Sequence, residues 1–167
     1  MARTFSLKTV QNLPVPLADA WEFFSRPDNL TRITPPGMGF RIRSHHHGGR
    51  MYPGQLIEYT VTPFPGMPFY WMTEITHVSE PTYFVDEQRF GPYALWHHQH
   101  HFREVDGGVE MTDIVHYRLP LGFLGTMAHT LFVKEKLEAI FRHRYEVTTR
   151  LFGEWPGQPC DIRFFRS

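Results

Sequence analysis

Apolar and polar side chains alternate weakly over residues 4–13, with Phe5, Leu7 and Thr9 set against Thr4, Ser6 and Lys8, and a period of two predicts a strand. Pro14 and Pro16 end it. Leu17, Ala20, Trp21 and Phe24 then recur at helical spacing behind Pro16, a residue tolerated at a helix start. A second short helix is predicted from about Asp28 to Ile33, where Pro35-Pro36-Gly37 stops it. From there to residue 119 the pattern is one of strands: Phe40–Arg43, Gln55–Thr62, Phe69–Val78, Tyr83–Phe90, Leu95–Val105 and Val109–Leu119. Turn clusters such as Pro63-Phe64-Pro65-Gly66, Glu80-Pro81, Gly91-Pro92 and Asp106-Gly107-Gly108 separate them, and connections this short make neighbouring strands antiparallel.

After Pro120-Leu121-Gly122 the pattern is helical to about Phe152, roughly thirty residues or about 45 Å, with Gly153 as a C-cap. Leu124, Met127, Ala128 and Leu131 share one face of this helix, while Val133, Leu137, Ile140, Phe141, Arg144 and Leu151 share roughly the opposite one. The stripe changes side near Phe132, which predicts a kink or a first segment that covers something other than the main core. Arg144 sits inside the second stripe, where a charge has to be paired. Trp155-Pro156-Gly157-Gln158-Pro159 cannot continue the helix, and Asp161 to Phe165 is either a frayed tail or a short strap. The expected architecture is α+β: a curved antiparallel sheet of about seven strands wrapped around a long C-terminal helix, with two short helices after the first strand. A curved sheet and a straight cylinder cannot touch everywhere, so a cavity is expected between them.

Strand parity says which side chains share that cavity. Trp96, His98, His100 and Phe102 lie on one face of their strand, and Val109, Met111, Asp113, Val115, Tyr117 and Leu119 on one face of the next. A two-residue Asp106-Gly107 turn sets Phe102 opposite Met111, His100 opposite Asp113 and Trp96 opposite Tyr117. For Tyr83–Phe90 periodicity is nearly neutral between Phe84, Asp86, Gln88 and the alternate set.

The order of elements matches the helix-grip fold of the START and birch-pollen-allergen superfamily, also called SRPBCC or polyketide cyclase-like. Phe23-Phe24-Ser25-Arg26-Pro27-Asp28-Asn29-Leu30 with Ile33-Thr34-Pro35-Pro36, Phe84-Val85-Asp86-Glu87-Gln88 with Gly91-Pro92-Tyr93, the Trp96, His98, His100, Phe102 alternation, Asp113-Ile114-Val115-His116-Tyr117 and Ile140-Phe141-Arg142-His143-Arg144 resemble its bacterial ligand-binding subfamily. The resemblance covers about residues 3–153, which sets a single domain at 1–153 and a tail at 154–167. It implies that Phe84, Asp86 and Gln88 face inward, beside His98.

The candidate ligand-binding set is therefore Trp71, Phe84, Asp86, Gln88, Trp96, His98, His100, Phe102, Asp113, Tyr117, Phe141 and Arg144. Its favoured use is to hold a small hydrophobic or amphipathic molecule, with aromatic walls and a polar pole. The alternative is a cyclase- or isomerase-type enzyme using a catalytic His100–Asp113 pair in proton abstraction next to a carbonyl. A non-catalytic interaction protein with a closed core is the third class. His98 and His100 with Asp86 or Asp113 also contain the donor types of a two-histidine, one-carboxylate metal site, but strand histidines are more often hydrogen-bonded core residues, so neither metal nor cofactor is expected.

Composition narrows the partners. Among 167 residues Lys plus Arg (17) balances Asp plus Glu (17), so no global field favours nucleic acid or an anionic membrane. A single cysteine, Cys160, excludes an intrachain disulfide framework, and without a signal-like start or an 18-residue apolar run the expected setting is the cytoplasm, with no stable membrane insertion. Two apolar tips, Phe64 to Tyr70 and Pro120 to Leu124, would allow a homodimer. Of the eleven histidines, His45-His46-His47 are read as a solvated loop, His97, His101 and His116 as an outward set, and His98 and His100 as the inward pair.

Overall fold

The computed structural model describes residues 3–44, 49–64, 66–120 and 132–166. Strand β1 (Phe5–Leu13) is followed by helices α1 (Leu17–Phe24) and α2 (Leu30–Ile33). Strands β2 (Arg41–Ile42), β3 (Gln55–Phe64), β4 (Met67–Ser79), β5 (Tyr83–Phe90), β6 (Leu95–Val105) and β7 (Gly108–Arg118) come next, then helix α3 (Lys134–Phe152) and strand β8 (Asp161–Arg166). All eight strands join one antiparallel sheet in the order β2-β3-β4-β5-β6-β7-β1-β8. This is the helix-grip arrangement expected, with one strand more.

The additional strand is β8, which the proline-rich run before it disguised. It lies along β1 from Phe5↔Arg166 to Val10↔Asp161. Ile162 and Phe164 pack beside the core, and the approach is tied down by Gln158, whose side chain accepts from the Asn12 N–H at 2.7 Å while its carbonyl accepts from the Tyr145 hydroxyl. Strand β2 is two residues long where four were predicted, because Arg43 and Ser44 both turn their N–H groups onto the Glu58 carbonyl and end the ladder.

The β6–β7 hairpin has the register that a two-residue turn dictates, with Phe102↔Met111, His100↔Asp113 and Trp96↔Tyr117. Gly107 takes the left-handed conformation the turn needs, at φ 85°. Gly108 is required for a different reason: a Cβ there would lie 2.1 Å from the Leu13 carbonyl oxygen. The hairpin therefore closes directly onto the end of β1.

Helix α3 buries Leu137, Phe141, Arg144, Val147 and Thr148, a stripe at helical spacing, and leaves Leu151 exposed in its last turn. Gln11 on β1 holds the stripe in register: its side-chain N–H donors reach the Tyr145 carbonyl and Thr149, and its oxygen accepts from Thr148 at 2.8 Å. Gly153 closes the helix with its N–H on Thr149. The predicted first segment of this helix, with the Leu124–Leu131 stripe, falls outside the described residues, as does the His45–His47 tract. Three apolar clusters flank the helix face. One gathers Trp21, Phe24, Phe102 and Met111, a second Phe5, Val115, Tyr117 and Phe141, and a third Ile57, Tyr59, Val61 and Ile75.

Candidate functional site

Between the inner sheet face, α1–α2 and α3 lies a cavity of about 190 Å³. An apolar cavity of roughly 150 Å³ already accommodates benzene, so a ring-sized molecule fits. Strand parity builds the floor: Ile57, Tyr59 and Val61 from β3, Trp71, Thr73 and Ile75 from β4, Phe84 and Asp86 from β5, and Trp96, His98 and His100 from β6. Phe24, Leu30 and Ile33 close one side, and Leu137, Phe141 and Arg144 the other. Tyr93 reaches the wall because Gln88 grips its backbone from both ends, donating to the Tyr93 carbonyl at 2.7 Å and accepting from its N–H at 3.2 Å.

Of the twelve candidate residues, eight line this cavity: Trp71, Phe84, Asp86, Trp96, His98, His100, Phe141 and Arg144. The other four stand behind the wall. Gln88 clamps the loop, and Phe102 fills the core edge-on to Trp21. Tyr117 stacks on Phe5, and Asp113, 1% exposed, lies beneath the two imidazoles. Sequence reasoning missed Tyr59 and Thr73, whose hydroxyls bond each other, with the Trp71 indole N–H also on Thr73 at 3.0 Å. Continuing the Trp71 parity by two residues would have found Thr73.

The polar pole is a closed ring of four side chains. Asp113 Oδ1 lies 3.0 Å from His98 Nε2 and 2.7 Å from His100 Nδ1. On the cavity side Asp86 Oδ2 lies 2.9 Å from His100 Nε2 and 3.5 Å from His98 Nδ1. Register explains the convergence, since Asp86 pairs with His98 across β5–β6, and His100 pairs with Asp113 across β6–β7. Packing fixes both rings: His100 stacks on Phe84 with centroids 4.1 Å apart, and His98 meets the edges of Trp96 and Phe141. Arg144 reaches in from α3, its Nη2 3.4 Å from Asp113 Oδ1 and its guanidinium 5.4 Å above the Phe24 ring. Its Nε is buried without a hydrogen-bond partner among the described residues.

Burial works against charge on every member, so the partners decide the outcome. Burial would raise Asp113, yet the Arg144 guanidinium and both imidazoles hold its carboxyl well below the usual carboxylate range. Burial opposes the charge on Asp86 as well, and His98 and His100 hold it low. Burial and the neighbouring His100 push His98 down. His100 is raised in spite of burial, because Asp113 and Asp86 each hold one of its nitrogens. The two imidazoles are pushed in opposite directions, so a proton on the pair favours His100 over His98, and the Asp113 carboxylate accepts from His98 Nε2. Asp86, His98 and His100 each offer a donor atom, all within 4.8 Å of one another, and are the residues able to hold a metal ion.

No protein-family model matches the sequence, and no functionally curated protein matches it either. Solved structures do. A protein of Mycobacterium smegmatis superposes with a TM-score of 0.61 at 19% identity, covering 87% of this chain and 92% of that one. One from Chromobacterium violaceum reaches a TM-score of 0.67 at 12% identity, over 90% and 98% of the two chains. Ara h 8.0201 superposes at 0.59 with 18% identity, over 88% and 99%. The chain shares the helix-grip fold of these structures. At these identities the helix-grip likeness speaks for architecture alone. No helix among the described residues is long and apolar enough to cross a membrane.

Proposed function

We propose that this chain is an acid–base catalyst of the cyclase or isomerase type, acting on a small, largely apolar molecule whose oxygen-bearing end meets the pole. The observation that carries the reading is the convergence of two buried imidazoles, the buried Asp113 carboxylate and the half-buried Asp86 carboxylate on one wall of a largely apolar cavity. Asp86 Oδ2 and His98 Nδ1 form the cavity edge of that cluster. Asp113 steadies His98 from behind, the relation in which a third group orients a base. The same geometry supports a change of partner within the expected pair: both nitrogens of His100 are engaged by carboxylates, which leaves His98, rather than His100, beside Asp113 as the imidazole with a lone pair to use. The resemblance of its motifs to those of the bacterial ligand-binding SRPBCC subfamily supports the same cavity as the place of binding. Balanced charge and a single cysteine support a small-molecule partner, in place of nucleic acid, and a reducing, cytoplasmic setting.

The test is proton exchange. Ring-sized ketones and phenolic polyketide fragments are incubated with the protein in D2O, and exchange of the proton next to the carbonyl is followed by NMR. Binding is read separately from the fluorescence of Trp71 and Trp96. Exchange should be accelerated, and His98→Gln should abolish the acceleration while leaving binding within a few-fold. Compounds that bind yet exchange no faster than in buffer would refute the catalytic reading. That outcome would favour a carrier, a second reading supported by the aromatic walls of Trp71, Phe84, Trp96 and Phe141.

A further inference from the structure

One contact of the pole is longer than the rest. Asp113 Oδ1 takes the inner nitrogens of both imidazoles, His98 Nε2 at 3.0 Å and His100 Nδ1 at 2.7 Å. Their outer nitrogens, His98 Nδ1 and His100 Nε2, both turn to Asp86 Oδ2, at 3.5 and 2.9 Å. A proton on His100 Nε2 bonds that nitrogen to Asp86. It does nothing for His98 Nδ1, whose lone pair still faces an anionic oxygen inside an apolar wall, an arrangement that costs free energy.

A single ion serves all three donors. With bonds of about 2.0–2.2 Å to imidazole and carboxylate, a first-row divalent ion holds adjacent ligand atoms roughly 3.0–3.5 Å apart; Asp86 Oδ2 stands 2.9 and 3.5 Å from the two outer nitrogens, and all three donor atoms lie within 4.8 Å of one another before any ion draws them in. We infer that Asp86, His98 and His100 bind one divalent transition-metal ion, with Asp113 as the carboxylate that orients both imidazoles.

Three observations support the assignment independently of spacing. A histidine ligand characteristically donates its other ring N–H to a carboxylate, and here one buried carboxylate receives it from both histidines. The donors are held before any ion arrives, by ladder pairing of β5 with β6 and by the stacking of His100 on Phe84. The side of the triad away from Asp113 is the cavity, which all three ligands line, so the ion keeps an open position toward a bound molecule. Imidazole and carboxylate donors without thiolate suit zinc, iron or manganese in the divalent state and disfavour soft ions. Charge indicates what fills the open position. Metal binding displaces the proton from His100 Nε2, so with both imidazoles neutral the two carboxylates and Arg144 leave one negative charge, which a divalent ion converts to one positive. An anionic oxygen, either hydroxide or a ligand's enolate, phenolate or carboxylate, then restores neutrality.

The ion takes the same His98 Nδ1 lone pair that the acid–base reading uses, so the two are tested on different forms of the chain: metal content and titration test this inference, and proton exchange by chelator-stripped protein tests the other. The adjacent histidines at 45–47 are a chelator in their own right, so the chain is prepared without an affinity tag and with His45, His46 and His47 changed to serine. Chelator-stripped protein is titrated with Zn²⁺ by calorimetry and with Co²⁺ by visible absorption, and freshly purified protein is assayed for metal. One equivalent should bind, giving the visible spectrum of Co²⁺ in a low-symmetry nitrogen–oxygen site. Asp113→Asn should weaken Zn²⁺ about 10–100-fold, and His98→Gln or Asp86→Asn by more than the upper end of that range. Should His98→Gln fail to fold, Asp86→Asn, near-isosteric and at the cavity edge, carries the comparison with circular dichroism as the folding control. Absence of a stoichiometric site in the serine-substituted chain, or equal Zn²⁺ affinity in folded Asp86→Asn, would overturn the proposal.

Discussion

Arg144→Met, made alone and together with Asp113→Asn, measures how the helix is anchored to the pole. Arg144 is 7% exposed and Asp113 1%, so neither charge keeps more than a trace of its hydration. At the observed 3.4 Å and an effective dielectric constant of about 20, the pair attracts by about 5 kcal/mol. Desolvation of both groups offsets much of this, which is why the informative quantity is the cost of orphaning one partner, about 3–5 kcal/mol. Methionine keeps the aliphatic stem but removes the guanidinium, including its contact over Phe24, so Arg144→Met should lose about 3 kcal/mol, chiefly by leaving Asp113 with only the two imidazoles. Asp113→Asn should lose at least as much, because Arg144 and both imidazoles lose their common anion. The double variant removes the charge that each single variant strands, and it should be less destabilised than the sum of the two by about 2 kcal/mol or more. Urea unfolding of chelator-treated protein, followed by tryptophan fluorescence and far-UV circular dichroism, reads all four stabilities. Single losses near 1 kcal/mol, or a double variant within about 0.5 kcal/mol of additivity, would refute the pairing as drawn.

Gly108→Ala should lower the melting temperature, because its Cβ would sit 2.1 Å from the Leu13 carbonyl oxygen and backbone cannot swing aside; a cost of about 1–3 kcal/mol corresponds to roughly 2–4 °C for each kcal/mol in a chain of this size. Gly37→Ala, with no atom within 4 Å of the added carbon, is the control, and equal melting temperatures for the two variants would sink the argument. Burial pushes the half-buried Cys160 thiol above its ordinary pKa, against the opposing pull of Arg142. A raised thiol is protonated, and so unreactive, over a wider range: at pH 8 disulfide-exchange reagents should modify Cys160 more slowly than a free cysteine, with the rate rising as the pH passes the ordinary thiol value of 9.0. Folding stability carried by that shift is complete below the ordinary value and lost as the pH climbs toward the raised one. Modification as fast as in an unfolded control at pH 8 would show that the burial is wrong.

How far the site could be read from the chain depended on what fixed each residue's position. His98, His100 and Asp113 were legible because a two-residue Asp106-Gly107 turn leaves no freedom of register, and register on a pleated sheet decides every facing pair at once. Asp86 needed the family resemblance, since apolar residues stand on both faces of Tyr83–Phe90 and Val85 is buried along with Phe84. What stayed hidden was the pairing itself. Parity puts His100 and Asp113 on one face, but it cannot say that His98 leans across to share the same oxygen while Asp86 closes the ring from the other side. Those contacts depend on side-chain rotamers set by Phe84, Trp96 and Phe141, and on Arg144 arriving from a helix distant in sequence. Strand β8 was hard to read for a related reason: Asp161-Ile162-Arg163-Phe164 alternates over only four residues behind a proline-rich run, and its place along β1 comes from anchors outside it, Gln158 on Asn12 and Tyr145 on Gln158. Local pattern thus delivers the frame and the inward face, while the chemistry of the pole comes from contacts between elements. The proposed acid–base role therefore turns on which of His98 and His100 serves as the base, a choice that strand parity alone does not make.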